Sequence, residues 1–300
     1  MDPVGAVSVL AALGLDLAAG EWPARYHPVV AYGRVIEHSR RVPVSPGVLG
    51  VAIAVILPIG AGGIAYGITE WVSGLDPILG AGFAALALFS TTSLRMLVDE
   101  AQSVIIASEG DLELARRILP ALAGRDPDTL TSGELRSAAV ESAAENLADG
   151  LVSPLVGFAI GATVSLPLAV AGTVWVKAVN TGDSMLGYES NPLGWGSARL
   201  DDAVQWLPAR LTAGLLAAVS VRPGALRRAR AWARVPRSPN AGWPMATLAA
   251  IIDVQLRKPH AYRLNPDAAL PSTPDAGRGI DLVNRGGLLA YLATGVIVWV

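Results

Sequence analysis

Apolar residues in this chain come in long blocks separated by polar stretches, rather than alternating. Residues 4–20 form the first block, interrupted by Asp16, and 48–68 form a second with no charge at all. Residues 78–98 follow, with Arg95 near the end able to reach a membrane interface. A bilayer crossing takes about 20 residues, so these blocks have membrane length. Residues 151–176 are apolar but divided by Pro154 and Pro167, 203–221 are moderately apolar around Arg210, and 287–300 is short for a span. Pro58 and the glycines of the second block predict a kink or close helix packing. The fold class expected is all-α: a polytopic integral membrane protein with about 4–6 membrane-embedded helices, some broken or re-entrant.

Polar stretches supply the rest. Residues 99–150 read as cytoplasmic amphipathic helix, with Leu112, Ala115, Ile118 and Leu119 at helical spacing. Thr131 followed by Glu134 predicts a capping box, opening a helix that runs through Glu145 and stops at Gly150. The region 222–286 holds an Arg-rich run, a turn-dense S-P-N-A-G-W-P at 238–244 and a Pro/Asp-rich loop at 264–279. Together these describe a single membrane-embedded domain over 1–300, with the excursion 99–150 and the polar region 222–286 belonging to it.

Composition agrees. The chain is 52% hydrophobic and 16% charged, against roughly 25% charged in a soluble domain. A net charge of −2 gives no footprint for nucleic acid. With no cysteine, disulfides and thiolate chemistry are excluded. The opening M-D-P-V-G lacks a basic n-region, so no cleaved signal peptide is expected. Basic residues crowd the loops at 25–41, 99–150 and 222–263, while 70–76 has none. All of these basic loops fall cytoplasmic if the N-terminus faces outward.

Candidate chemistry gathers at 141–202. Glu141, Glu145 and Asp149 are spaced i, i+4, i+8, with no basic residue four positions away in the same helix. Like charges at that spacing repel, so the face asks for a cation. Mg²⁺ prefers carboxylate and amide oxygens, and Asn146 adds one; a solvated acidic face is the competing reading. Lys177, Asn180 and Asp183 share a second helical face at the end of an apolar run. There an ammonium can hold a phosphate oxygen, and Asp183 can ligate a metal or take a proton; an interfacial snorkelling lysine is the alternative. Arg199, Asp201 and Asp202 open the next helix, where Arg199 and Asp202 can simply pair. Asn240 lies in a turn whose N–H groups either line an anion site or serve structure alone. His27 beside Pro28 reads more readily as structural than catalytic. A straight crossing over 151–176 would separate the two faces, so a hairpin that keeps both at one cytoplasm-facing site is preferred. There is no phosphate loop G-x-x-x-x-G-K-[ST], no H-E-x-x-H and no G-x-S-x-G. The G-A-G-G-I-A of the second block follows no strand and is no dinucleotide fingerprint.

The stretches A-A-V-E-S-A-A-E-N-L-A-D-G-L-V-S-P-L, K-A-V-N-T-G-D-S-M-L-G-Y, G-W-G-S-A-R-L-D-D-A-V-Q-W-L-P-A-R-L-T and S-P-N-A-G-W-P, in that order, closely resemble adenosylcobinamide-phosphate synthase. This is the CobD/CbiB family of cobalamin biosynthesis. The likeness extends from L-D-L-A-A-G and H-P-V to N-R-G-G-L. It departs at Gly20-Glu21-Trp22-Pro23, where the family often has G-D-P, and at Gly182, where leucine is common. The resemblance implies a multi-pass enzyme of the cytoplasmic membrane whose active site faces the cytoplasm. It implies ATP-dependent, Mg²⁺-assisted amide formation between the corrinoid adenosylcobyric acid and (R)-1-aminopropan-2-ol or its O-phosphate. Lipid bilayer is then a partner, nucleic acid is not, and a homo-oligomer is compatible. On this reading Glu141, Glu145 and Asp149 hold Mg²⁺ with Asn146 beside them, and Lys177 and Arg199 bind phosphate. Asp183 or Asp201 is the amine base or a further metal ligand. Asn180, Ser184, Arg210, Asn240 and His27 bind or orient substrate. A transporter or corrinoid-binding scaffold without bond formation is the alternative.

Overall fold

The computed structural model describes residues 3–187 and 192–300. Met1 and Asp2 of the M-D-P-V-G start, and Tyr188 at the end of the second polar cluster, lie outside the described residues. The chain divides into two compact units: Met1–Ser93, Ser153–Gln205 and Ala290–Val300 form unit 1, and Leu94–Val152 with Trp206–Leu289 form unit 2. The stretches 99–150 and 222–286, set apart by their polarity, both fall in unit 2.

Unit 1 is built from α1 (Pro3–Ala19), α2 (Pro28–Ser39), α3 (Pro46–Leu75) and α4 (Pro77–Thr91). Unit 2 opens with α5 (Arg95–Gly110), α6 (Leu112–Ile118) and α7 (Ser132–Leu147). The chain then returns to unit 1 as α8 (Ser153–Ala162), α9 (Leu166–Leu186) and α10 (Trp195–Val204). Unit 2 resumes with α11 (Trp206–Val219), α12 (Gly224–Ala229) and α13 (Gly242–Ile252), followed by strands β1 (Leu256–Lys258) and β2 (Tyr262–Leu264). Last comes α14 (Thr273–Trp299), whose residues 273–289 fall in unit 2. Among the described residues the antiparallel pair β1–β2 is the only sheet, so the fold is all-α.

Local signals explain most helix starts. Asp76 accepts from the Ile78 N–H at 2.6 Å ahead of α4, and Ser165 accepts from Leu168 N–H at 3.3 Å ahead of α9, each with proline in the first turn. The predicted capping box of α7 forms, with Thr131 and Glu134 serving each other's backbone N–H groups. Helix α3 runs on through Pro58. By length and apolar composition three helical stretches can cross a membrane: Pro46–Leu75, Pro77–Gly110 (α4, a break at 92–94 and α5) and Thr273–Trp299. Helices α1, α11 and α13 are apolar but shorter. On α3, Ile56, Ile59 and Ile64 are 65%, 59% and 67% exposed, an apolar outer face that suits lipid rather than water.

Two expectations need correction. Gly150 does not stop a helix: a π-helical segment, Ala148–Val152, follows α7, and α8 begins at Ser153. The final helix is not short, because it starts at Thr273 inside the stretch assigned to a loop. Its start was legible: Ser272 and Asp275 cap each other across S-T-P-D, with Pro274 in the first turn.

The 151–176 run does fold back on itself. Helices α8 and α9, joined through Thr163–Ser165, pack antiparallel at two glycines. A Cβ on Gly157 would sit 2.7 Å from the Gly172 carbonyl oxygen, so these backbones approach more closely than any side chain allows. The far end of α9 is anchored by Ile36, Ile53, Leu186 and Leu193, against which Tyr32 and Met185 pack.

Candidate functional site

In unit 1 the end of α9 and the face of α10 bring acids together. Asp201 is 8% exposed. Gln205 donates to its Oδ1 at 3.4 Å, and Asn180 of α9 also donates to it. Burial, reinforced by the charge of Asp183, outweighs these bonds and pushes the Asp201 carboxyl up to about 7. Asp183 Oδ1 is itself buried without a hydrogen-bond partner. Its place is kept by Gly187, where a Cβ would strike the Asp183 carboxylate. A buried carboxyl with few donors and the like charge of Asp183 acting on it suits a group that exchanges a proton near neutral pH.

Neighbouring positions are less committed. Burial also raises Asp202, and Arg199 opposes this from a loose 4.0 Å pairing in which its side chain is 69% exposed. The simple Arg199–Asp202 pair anticipated from spacing therefore exists but is weak. Ser184 is exposed and turns its hydroxyl back to the Asn180 carbonyl at 2.9 Å, which explains its polarity without a ligand. Lys177 belongs to α9. It lines an apolar cavity of about 570 Å³ with Trp22, Tyr32, Phe83 and Leu86, while Asn180, from the same helix, bonds Asp201.

His27 is corrected from substrate binding to structure. Its Nδ1 accepts the Val29 N–H at 3.1 Å, capping α2, so Nε2 carries the proton and donates to Glu21 at 3.0 Å. Both ring nitrogens are occupied, and the Glu21 that departs from the G-D-P pattern is the partner.

In unit 2 the acidic face of α7 meets its cation within the protein. Glu141 is fully buried. Its Oε1 accepts from Ser137 at 2.7 Å; its Oε2 accepts from Arg125 at 3.0 Å and from the Tyr262 hydroxyl at 2.7 Å. Arg125 would lose affinity for its proton through burial, but Glu141 reverses this and holds it charged. Burial and the Glu141 charge raise the Tyr262 phenol well above its ordinary range, so it remains a donor. Glu141 is thus neutralised by donors from the protein itself, which argues against its expected role as a Mg²⁺ ligand. Among the described residues no group of three His, Cys, Asp or Glu side chains is arranged to hold a metal. Glu145, Asn146 and Asp149 are half-buried; Asn146 donates to the Ser142 carbonyl at 2.9 Å, and Asp149 sits in the π segment. The small neighbours Ala143, Ala144, Leu147 and Ala148 are buried, so this face is packed rather than solvated.

Arg210 and Asn240 also meet in unit 2. The guanidinium donates to Asn240 Oδ1 and to the Trp206 carbonyl, both at 2.7 Å, and stacks over Trp206 and Trp243. The N–H groups of Asn240 and Ala241 point at Ser238 Oγ, at 3.2 and 3.4 Å. They are spent inside the turn, so the anion-cradle reading gives way to the structural one.

Sequence reasoning missed Arg125, Ser137, Arg257 and Tyr262. Ser137 alone carried a local signal, four residues before Glu141. The Arg257 N–H donates to Ser137 Oγ at 2.7 Å, tying β1 to α7. The motif order and the buried acids now have a context in known proteins. The sequence profile described as "CobD/Cbib protein" matches residues 9–282. The chain belongs to the CobD/CbiB family. It is 34% identical to the probable cobalamin biosynthesis protein CobD of Methanothrix thermoacetophila, across 97% of this chain and 96% of that one. It is 38% identical to cobalamin biosynthesis protein CobD of Geobacter metallireducens (94% and 90%), and 36% to that of Mycobacterium tuberculosis (92% and 90%). No solved structure matches.

Proposed function

We propose that this chain is a membrane enzyme of cobalamin biosynthesis that joins adenosylcobyric acid to aminopropanol, or its phosphate, through an amide bond. The observation that carries this reading is the Asp183–Asp201 pair. An amine must lose a proton to attack a carboxyl carbon, and a carboxylate tuned toward neutral pH accepts that proton. The coupled half is activation of a poor electrophile. ATP transfers its terminal phosphoryl group to the corrinoid carboxylate, giving an acyl phosphate and ADP; the amine adds, phosphate leaves and the amine proton goes to the pair.

Asp201 is the base in this proposal, Asp183 raises its proton affinity, and Asn180 and Gln205 orient it. Lys177 and Arg199 retain their proposed contact with phosphate oxygens. The Glu141–Glu145–Asp149 set does not fit a Mg²⁺ cage, so no step is assigned to a protein-held metal; Mg²⁺ enters with the triphosphate. The site is proposed to face the cytoplasm at the cell membrane.

The test is direct. Purified protein in detergent is incubated with adenosylcobyric acid, the amine and Mg-ATP, and products are read by mass spectrometry. Amide together with ADP is expected, and Asp201→Asn should lower its formation by roughly 10²-fold or more while the protein remains folded. Corrinoid binding or vesicle uptake with no amide contradicts the enzyme and supports the transporter or scaffold.

A further inference from the structure

Unit 2 contains a polar cavity of about 360 Å³, lined by Arg125, Glu145, Arg237, Lys258, His260 and Tyr262 among others. Pockets for small ligands start at about 300 Å³, so this is room for a compact molecule. The lining is cationic on balance, with two arginines and a lysine against one carboxylate.

Its wall is fixed in advance. Lys258 and Tyr262 lie directly opposite in the β1–β2 pair, so their side chains leave the ribbon on one side. Tyr262 is held by Glu141, and Glu141 also holds Arg125. A guanidinium has five N–H donors; Arg125 gives one to Glu141 and one, at 3.4 Å, to the Arg257 carbonyl. Donors therefore remain. The Lys258 ammonium has no hydrogen bond or ion pair among the described residues. Between the strands the turn is tight: the Ala261 N–H reaches the Lys258 carbonyl at 3.1 Å, and His260 sits in the left-handed region at φ 59°. Such a backbone is uncommon for a residue with a side chain and tends to persist where it places something useful.

We propose that this cavity binds a phosphate-bearing anion, with Lys258 and Arg125 as principal contacts and Glu145 limiting the charge it tolerates. Planar guanidinium donors beside a mobile ammonium match phosphate oxygens. A soluble polyphosphate, a nucleotide or a lipid headgroup shares this chemistry. The inference does not depend on amide formation, because binding is read without turnover.

The full chain in detergent is titrated by calorimetry with sodium tripolyphosphate, with Mg-free ATP and with a short-chain phosphatidylglycerol. Saturable binding is expected, weakened about tenfold or more by Lys258→Ala, the loss of one charge-assisted contact. Glu145→Gln should tighten it several-fold, the reverse of what loss of a metal ligand would do with Mg-ATP. Competition between tripolyphosphate and ATP assigns a soluble phosphate; binding of the lipid alone, still dependent on Lys258, assigns a headgroup. No binding of any probe at millimolar concentration overturns the proposal. So does binding that Lys258→Ala and Glu145→Gln leave unchanged in a protein of normal melting temperature.

Discussion

Glu141 in unit 2 and Asp201 in unit 1 are both removed from water, yet the cost of burial is met differently. Around Glu141 the protein supplies a guanidinium, a phenol and a hydroxyl, enough donors to keep the carboxylate ionised and immobile. Around Asp201 it supplies two amides and a second carboxylate, which leaves too few donors and one negative charge too many. A saturated carboxylate holds structure; an under-supplied one is left to exchange a proton. Acidity and burial alone do not distinguish the two, and the partners do.

The sharpest way to break this comparison is to neutralise each acid in turn. Asp201→Asn should lower amide formation by roughly 10²–10⁴-fold, the usual worth of a positioned general base, with the melting temperature maintained or raised. Mass-spectrometric product assay beside a thermal melt checks both. Glu141→Gln should act on the fold, leaving Arg125 buried without its counter-charge at a cost of about 3–5 kcal/mol. Denaturant or thermal unfolding in detergent would reveal it. If the two variants exchange phenotypes, the comparison is wrong.

A smaller effect follows from pH. Between the ordinary aspartate value, about 3.9, and the folded value of about 7 for Asp201, the folded chain keeps a proton that the unfolded chain has released. The contribution of this group is therefore largest at low pH, and stability falls as pH rises through that window. In Asp201→Asn this slope should flatten, so the variant gains on the parent as pH rises from about 4 to about 7; melting temperatures at fixed scan rate measure it. Smallest is His27→Ala, which removes a helix cap worth about 1 kcal/mol. His27→Asn, a better cap, should restore the melting temperature, and neither change should alter turnover at saturating substrate.

Much of the fold was legible where the determining residues are neighbours. The Thr131–Glu134 box, the uncharged run of α3 and the prolines that divide 151–176 each act over a few residues, and each gave the expected element. The site was legible only by half. Asp183, Asn180 and Asp201 stand out because two consecutive helices carry acids beside apolar runs, a local property. Arg125 and Tyr262 reach Glu141 from 16 residues before it and 121 residues after it. Spacing within α7 showed that a cation was needed but not that the chain supplies one. Gly150 misled for a related reason: glycine commonly ends helices, yet packing of α11 against the π segment keeps the backbone coiled there.

The most direct test of the central claim is the titration of the aspartate carboxyls themselves. Protein labelled with ¹³C at the aspartate side-chain carboxyl would be followed by NMR in detergent across the pH range. The account predicts a resonance that titrates near 7 and disappears in Asp201→Asn. If every aspartate carboxyl completes its titration within the ordinary range around 3.9, the pair does not hold a proton at neutral pH, and the account of Asp201 as the base is contradicted.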